Sequence, residues 1–325
     1  MVDDSKWQKE AISSFQESVF TTSDVSKSSL VILQGECGSI NGTRFDCIGT
    51  LFATTCHIAF FMDKSRSTVV CAHLDEGLNV DQIQCILSLF DAKSIDLYLI
   101  GGYLDEKRTS IKVTDKLLYL LSTEKQFKDY NVNLCLLFTA SLNTQYTFVP
   151  NSKGMSVEVP IPKYQSIGYN LKENRFVSLE AVSGQNVPHY TLRSAVLFDL
   201  SNHHGLRVVY DCNDERYIER GPTIDAFKWK RPYWVRNILQ SKMGDHELLQ
   251  MFSTSPYAEH DGFAQDSRAL FQYILQNEPK DVFAKGKPIH FQSGIIKMEL
   301  LRGDSSNNAD NSNPIIDNEE VAWQN

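Results

Sequence analysis

Apolar positions change their period several times along the chain, and each change marks an element. Trp7, Ala11, Phe15 and Val19 recur at helical spacing behind Asp3 or Ser5, either of which can cap, so a first helix should lay one apolar stripe on a sheet. Leu30 to Leu33 reads as a strand, Gly38 to Thr43 as a loop, and Asp46 to Leu51 as a second strand. Two apolar runs, Cys56 to Met62 and Ser67 to Leu74, then flank the polar Asp63-Lys64-Ser65-Arg66, the pattern of a hairpin. With that loop Met62 pairs with Ser67, and counting outward sets Cys56 opposite His73 on one face, with Cβ atoms roughly 4.5 to 5.5 Å apart. A slip of one residue would turn them to opposite faces.

Beyond Asn79, a plausible cap, Val80, Ile83, Leu87 and Phe90 form a helical stripe; Asp96 to Ile100 reads as a strand ending at Gly101-Gly102. Leu117 to Leu121 belongs to another helix and Asn133 to Thr139 to a buried strand. Between Gln165 and Tyr210 the runs Ser166 to Leu171, Ala195 to Leu200 and Leu206 to Tyr210 are short or alternating, which predicts mainly antiparallel strands. Asp245 is placed to cap a helix through Leu248, Leu249 and Phe252, and a second runs from Phe263 to Gln276. The fold class is therefore α+β, with mixed, largely antiparallel, β-sandwich-like sheets flanked by helices. One domain is expected over residues 1–302, followed by a disordered polar tail over 303–325 rich in Asn, Asp and Ser.

Charge narrows the function. A formal net charge of -8 and a pI near 5.5, with no basic stripe, remove the electrostatic term that holds proteins on nucleic acid, so no nucleic acid partner is expected. No apolar run approaches roughly 18 residues and Met1 to Glu10 is polar where a signal peptide would be apolar, so no membrane association is expected, and the location should be cytoplasmic, or also nuclear. Seven cysteines, an odd number spread through apolar runs, fit reduced thiols better than a disulfide framework. Asn41-Gly42-Thr43 is better read as a turn than as a glycosylation site.

A cysteine nucleophile needs a thiolate, and an imidazole beside it takes the proton and stabilises the charge. Cys56 and His73 have that opportunity, although most cysteines in apolar strands are inert and most such histidines are hydrogen-bonded core residues. Cys56, His57, Cys71 and His73 could also be read as a zinc site. Adjacent Cys56 and His57 point to opposite faces of a strand and paired CxxC spacing is absent, so no metal is assigned.

The runs Ala53-Thr54-Thr55-Cys56-His57-Ile58, His73-Leu74-Asp75, Gly101-Gly102-Tyr103-Leu104-Asp105 and Phe252-Ser253-Thr254-Ser255-Pro256-Tyr257-Ala258-Glu259 strongly resemble the protein N-terminal asparagine amidohydrolase family, in the same order from near Ser29 to Phe283. The resemblance implies deamidation of an N-terminal Asn side chain with release of ammonia, Cys56 as nucleophile, no cofactor, and proteins or peptides with N-terminal Asn as partners. It also implies an aspartate product that marks proteins for degradation. A looser resemblance to bacterial glutamine deamidases, which carry a Thr six residues before the Cys and a His seventeen after, falls here on Thr50 and His73. Thr50 would then orient the imidazole or bind the reacting amide; otherwise it is an ordinary strand threonine.

Selecting a chain terminus requires a partner for the free α-ammonium. Asp75, Asp105 and Glu259 are the acidic residues of the matching runs, and Ser253 and Ser255 could donate to the substrate backbone. Each carboxylate has a solvated-surface reading, and the serines have a turn reading. Gly101-Gly102 either admits substrate close to the backbone or ends a strand. Two other readings stay open: a glutamine side-chain deamidase and a non-catalytic module that binds N-termini. A monomer is expected.

Overall fold

The structure is a computed structural model and describes residues 4–19, 22–24, 29–150, 154–180, 194, 206–213, 238, 243–253 and 255–276. The tail over 303–325 and the run Ala195 to Leu200 lie outside the described residues.

Helix α1 (Asp4–Val19) is followed by strands β1 (Thr22–Asp24), β2 (Ser29–Ile32), β3 (Glu36–Ile40) and β4 (Cys47–Thr50). The hairpin β5 (His57–Asp63) and β6 (Val69–Leu74) comes next, then α2 (Val80–Leu87), β7 (Ser94–Gly101), α3 (Thr109–Thr123) and β8 (Asn131–Thr139). The remaining described elements are β9 (Thr144–Pro150), β10 (Ser156–Pro162), β11 (Ile167–Asn170), β12 (Arg175–Glu180), β13 (Arg207–Tyr210), α4 (Asp245–Phe252) and α5 (Phe263–Gln276). They build a six-stranded sheet in the order β13-β3-β6-β5-β7-β8, a five-stranded sheet in the order β1-β12-β11-β4-β2, and the separate hairpin β9-β10.

Period-two alternation sorts the central strands between two cores. Ile58, Phe60 and Met62 of β5, with Val69 and Cys71 of β6, join Ile32, Ile48, Ile167, Tyr169 and Phe176 from the other sheet in a core between the sheets. Ala59 and Phe61, with Val70, Ala72 and Leu74, point the opposite way and pack with Ile83, Ile86 and Leu87 of α2 and Val113 and Leu117 of α3. Every residue of β5 is buried because both of its faces are covered, which explains its unbroken apolar run. The α+β class and the sandwich-like pairing of sheets follow from this layering.

Several expectations change. Gly38 lies inside β3 and not in a loop: a Cβ there would meet Leu30 and Ile32 side chains at 3.2 Å, so the glycine serves close packing against β2. β13 pairs with β3 in parallel, whereas antiparallel strands were expected in that stretch; β11, in contrast, is antiparallel to both β4 and β12. The stripe after Asn79 ends as a helix at Leu87, and Phe90 is buried in the following turn; Asn79 does cap it, accepting from Gln82 N at 3.0 Å. Asp245 sits one residue inside α4, whose cap is Gly244 with Glu247 reaching back to its amide at 2.9 Å. The hairpin β9-β10 has no sequence expectation behind it.

The largest change is the register of the β5-β6 hairpin. Met62 pairs with Val69, so Lys64 to Thr68 lie between the strands and His73 stands opposite Ile58. The turn is wider because Asp63 organises it, accepting from Ser67 N at 2.8 Å and from Ser67 Oγ at 2.6 Å while Arg66 adopts φ 55. Direct opposition of Cys56 and His73 is thereby lost. The shift is even, so the two residues stay on one side of the sheet.

Gly49 of β4 lies where β11 crosses closest, and a Cβ there would come within 2.4 Å of Gly168 Cα and Ile167 O. Gly49→Ala should lower the denaturant midpoint by the equivalent of about 1 to 3 kcal/mol. A variant as stable as wild type would mean that the two strands can part freely.

Candidate active site

Cys56 closes a bend immediately before β5, on the side of the core between the sheets, where it packs while remaining half-buried. His73, near the end of β6, is paired with Ile58 and directed to that same side. Thr50, the last residue of β4, comes from the opposite sheet, and its Oγ1 lies 2.7 Å from His73 Nδ1 in a fully buried contact. Thr50 therefore holds the imidazole by one ring nitrogen, which leaves Nε2 as the other ring position. Two sheets and three strand ends place these residues, and no local segment could do so alone.

The neighbour in sequence, His57, points the other way. Its Nε2 lies 2.7 Å from Thr114 Oγ1 on α3, and burial lowers it to about 3, with His73 adding to the effect. The opposed faces expected for Cys56 and His57 are therefore present. His73 is likewise lowered by burial, to about 4, with the Asp75 and Glu36 carboxylates pulling the other way. At neutral pH it is an uncharged imidazole able to accept a proton.

Burial pushes the Cys56 thiol well up, and the Asp75 and Glu259 carboxylates push it further, while a hydrogen bond from Thr55 acts in the opposite direction. The resting pair is thus thiol and neutral imidazole. Thr55, buried beside the cysteine, has no role in the sequence reading, although a hydroxyl adjacent to a thiol is a signal for one.

Asp75 influences both Cys56 and His73, and it is anchored by Gly77 N at 2.8 Å and Gln34 Nε2 at 3.3 Å. Glu259 also faces Cys56; burial raises its carboxyl, with Ser253 and His260 opposing the rise. Ser253 Oγ donates to Glu259 Oε1 in a short contact and accepts from Ser255 N at 2.8 Å. Ser255 is buried against Tyr103, whose phenol feels Ser255 and Glu259. Tyr103 is a second residue that sequence reasoning left unassigned.

Asp105 has a different role. Its carboxylate accepts from Thr109 N at 2.7 Å, Thr109 Oγ1 at 2.9 Å and Lys107 N at 3.2 Å, so it ties down the turn that leads into α3, whose N-cap position is Arg108. Gly101 and Gly102, at φ 96 and 57, turn the chain beneath the thiol bend; a Cβ on Gly101 would meet Cys56 O at 3.1 Å, and one on Gly102 would meet Ser110 Oγ at 2.4 Å. They end β7 against the site with no room for side chains. Among the described residues no helix is long and apolar enough to cross a membrane.

Because His57 and His73 stay neutral in the fold but titrate near 6.5 when unfolded, the unfolded chain binds more protons as the pH falls from about 6.5 toward about 4 for His73 and about 3 for His57. Stability should therefore drop across that window, as read from melting temperature against pH. His57→Gln, which keeps a polar atom toward Thr114, should flatten the dependence, and an unchanged slope would show that His57 is already charged at mild acidity.

Comparison with known proteins gives one consistent outcome. A family model described as protein N-terminal asparagine amidohydrolase matches residues 20–298. Curated proteins of that name are similar to this chain: the one from Mus musculus is 23% identical over 270 residues, covering 81% of this chain and 77% of its own. That from Arabidopsis thaliana is 23% identical over 283 residues, with coverages of 81% and 78%, and that from Homo sapiens 22% identical over 264 residues, with 78% and 74%.

Proposed function

Since the chain belongs to the protein N-terminal asparagine amidohydrolase family and is an enzyme of that kind, we propose that it converts N-terminal Asn of peptides and proteins to Asp by Cys56-His73 catalysis through a thioester. The observation that carries this reading is the convergence of all four matching runs on one half-buried thiol, with His73 held through Nδ1 by Thr50.

The steps follow from the proton positions. Thr50 occupies Nδ1, so Nε2 of neutral His73 receives the Cys56 proton, and the sulfur attacks the asparagine carboxamide carbon. Backbone N–H groups of the bend around Cys56 hold the oxyanion. The imidazolium then returns its proton to departing ammonia, leaving a thioester. Water, giving a proton to His73, attacks the thioester carbon, and the aspartate carboxylate leaves with regeneration of the thiol.

Charge accounts for the choice of a free terminus. Asp75 and Glu259 both raise the Cys56 thiol, so an α-ammonium seated between them removes a repulsion on the thiolate as it binds. Ser253 steers the Glu259 carboxylate, and Ser255 lines the same loop. An acetylated terminus brings no charge and leaves the thiol protonated. The same logic keeps the glutamine reading second: one methylene in a pocket discriminates by only roughly 1 to 3 kcal/mol, so some turnover of N-terminal Gln is compatible with the site. The products are aspartate-headed chains in the cytoplasm or nucleus, the enzyme acting as a monomer.

Peptides beginning with Asn, Gln and acetyl-Asn, followed by mass spectrometry for amide-to-acid conversion, test the proposal. Only the free Asn peptide should turn over efficiently, Cys56→Ser should abolish turnover with its melting temperature kept, and His73→Ala should lose a comparable amount because the pair acts as a unit. Full activity in Cys56→Ser would sink the nucleophile assignment. Glu259→Gln should weaken productive binding of the free terminus by at least about tenfold, the scale of a hydrogen bond to a charged group; an unchanged KM removes Glu259 from ammonium recognition.

A further inference from the structure

Glu259, which acts on the Cys56 thiol, and Ser253, which donates to Glu259, come from a part of the chain some two hundred residues away, so something must set the distance of this loop from Cys56. The contacts across this junction meet in the short segment that runs from Tyr164 to Ser166. The Gln165 carbonyl accepts from Ala53 N at 2.8 Å, in the bend that carries Cys56. The Gln165 side-chain Nε2 donates to Ala258 O at 2.7 Å, immediately before Glu259. Ser166 Oγ accepts from Phe52 N at 3.1 Å. Tyr164 N donates to Asn143 Oδ1 at 3.0 Å, and the fully buried Asn143 donates in turn to Gly102 O at 3.2 Å and Tyr164 O at 3.1 Å.

One segment thereby grips the thiol bend, the glycine turn and the carboxylate loop. A second contact runs in the same direction. Phe52 holds φ 58, an uncommon backbone state for a residue with a side chain, and its ring stacks on His260 with centroids 3.7 Å apart and planes 11° apart. His260 is tied to Asp266 of α5 at 3.0 Å. The unusual dihedral turns the ring toward the loop that carries Glu259.

We propose that Gln165 is a positioning residue that sets specificity for the free terminus, by fixing the Glu259 loop at a set distance from the Cys56 bend. This rests on the proposed function of the same site. Gln165 touches neither the thiol nor the imidazole; it acts through Ala53 on one side and Ala258 on the other. Its backbone carbonyl survives any substitution, so the hold on the thiol bend persists while the hold on the carboxylate loop is severed. Loss of the side-chain amide should therefore separate binding from chemistry.

Gln165→Met keeps the volume without the donor, and Gln165→Glu keeps the shape but cannot donate to the Ala258 carbonyl. Both should raise KM for the Asn peptide about fivefold to tenfold, the equivalent of one net hydrogen bond, with kcat within about twofold of wild type. Alkylation of Cys56 by iodoacetamide, followed by peptide mass mapping, should accelerate in both variants as the loop loosens. Unchanged KM and unchanged alkylation, or a fall in kcat at constant KM, would overturn the proposal. If wild-type protein turns over no Asn peptide, the proposed function fails alone, because the alkylation rates still report whether Gln165 seats the loop.

Discussion

The contact between Thr50 and His73 is the constraint from which the rest of the site follows. A hydroxyl on the last residue of β4 and a ring nitrogen near the end of β6 meet at 2.7 Å although the two strands belong to different sheets. That distance is available only when the core between the sheets is filled to the correct thickness, by Ile48, Ile58, Phe60, Cys71 and Ile167 among others. Packing here thus reaches the site: the apolar layer sets the gap between the sheets, and the gap sets how Thr50 meets the His73 ring. The close backbone crossing at Gly49, one residue before Thr50, serves the same geometry.

Electrostatics then give the site a resting state and an active state. Burial disfavours charge on both Cys56 and His73, and two carboxylates reinforce this for the sulfur. A pre-formed ion pair would be poised to react with any electrophile. In the proposed reaction a neutral pair beside two acidic groups becomes reactive when a cation arrives, and a free chain end is such a cation. Under that proposal, specificity and activation are two readings of one charge balance.

Local pattern made the helices and the hairpin around Cys56 and His73 legible, because period and turn residues act over a few positions. The pairing register was missed by two residues, since Asp63 builds its turn with side-chain bonds to Ser65 and Ser67 that an apolar-polar pattern does not encode. The face relation survived because it depends only on parity. Gly38 misled in the opposite direction, as a glycine in a strand looks like a turn until Leu30 and Ile32 are seen against it. The hairpin pattern offered Cys56 beside His73 and the resemblance gave it a role, whereas the acidic residues came from resemblance alone, and only folded contacts showed that Asp105 ties down the turn before α3 whereas Asp75 and Glu259 act on the thiol. Gln165 and Tyr103 had no local signal, because their role consists of joining loops distant in sequence.

That separation along the sequence has a consequence for biosynthesis. The thiol, the imidazole and the threonine all lie within the first quarter of the chain, but the loop bearing Glu259 is made much later, and β3 also waits for β13 to pair alongside it. Topologies closed by such distant pairings complete late, and chains emerge from the ribosome at only about 5 to 20 residues per second. A nascent chain would therefore expose Cys56 for about 10 to 40 s before the loop that faces it is made, so that under the proposed reaction deamidation stays in the hands of finished molecules.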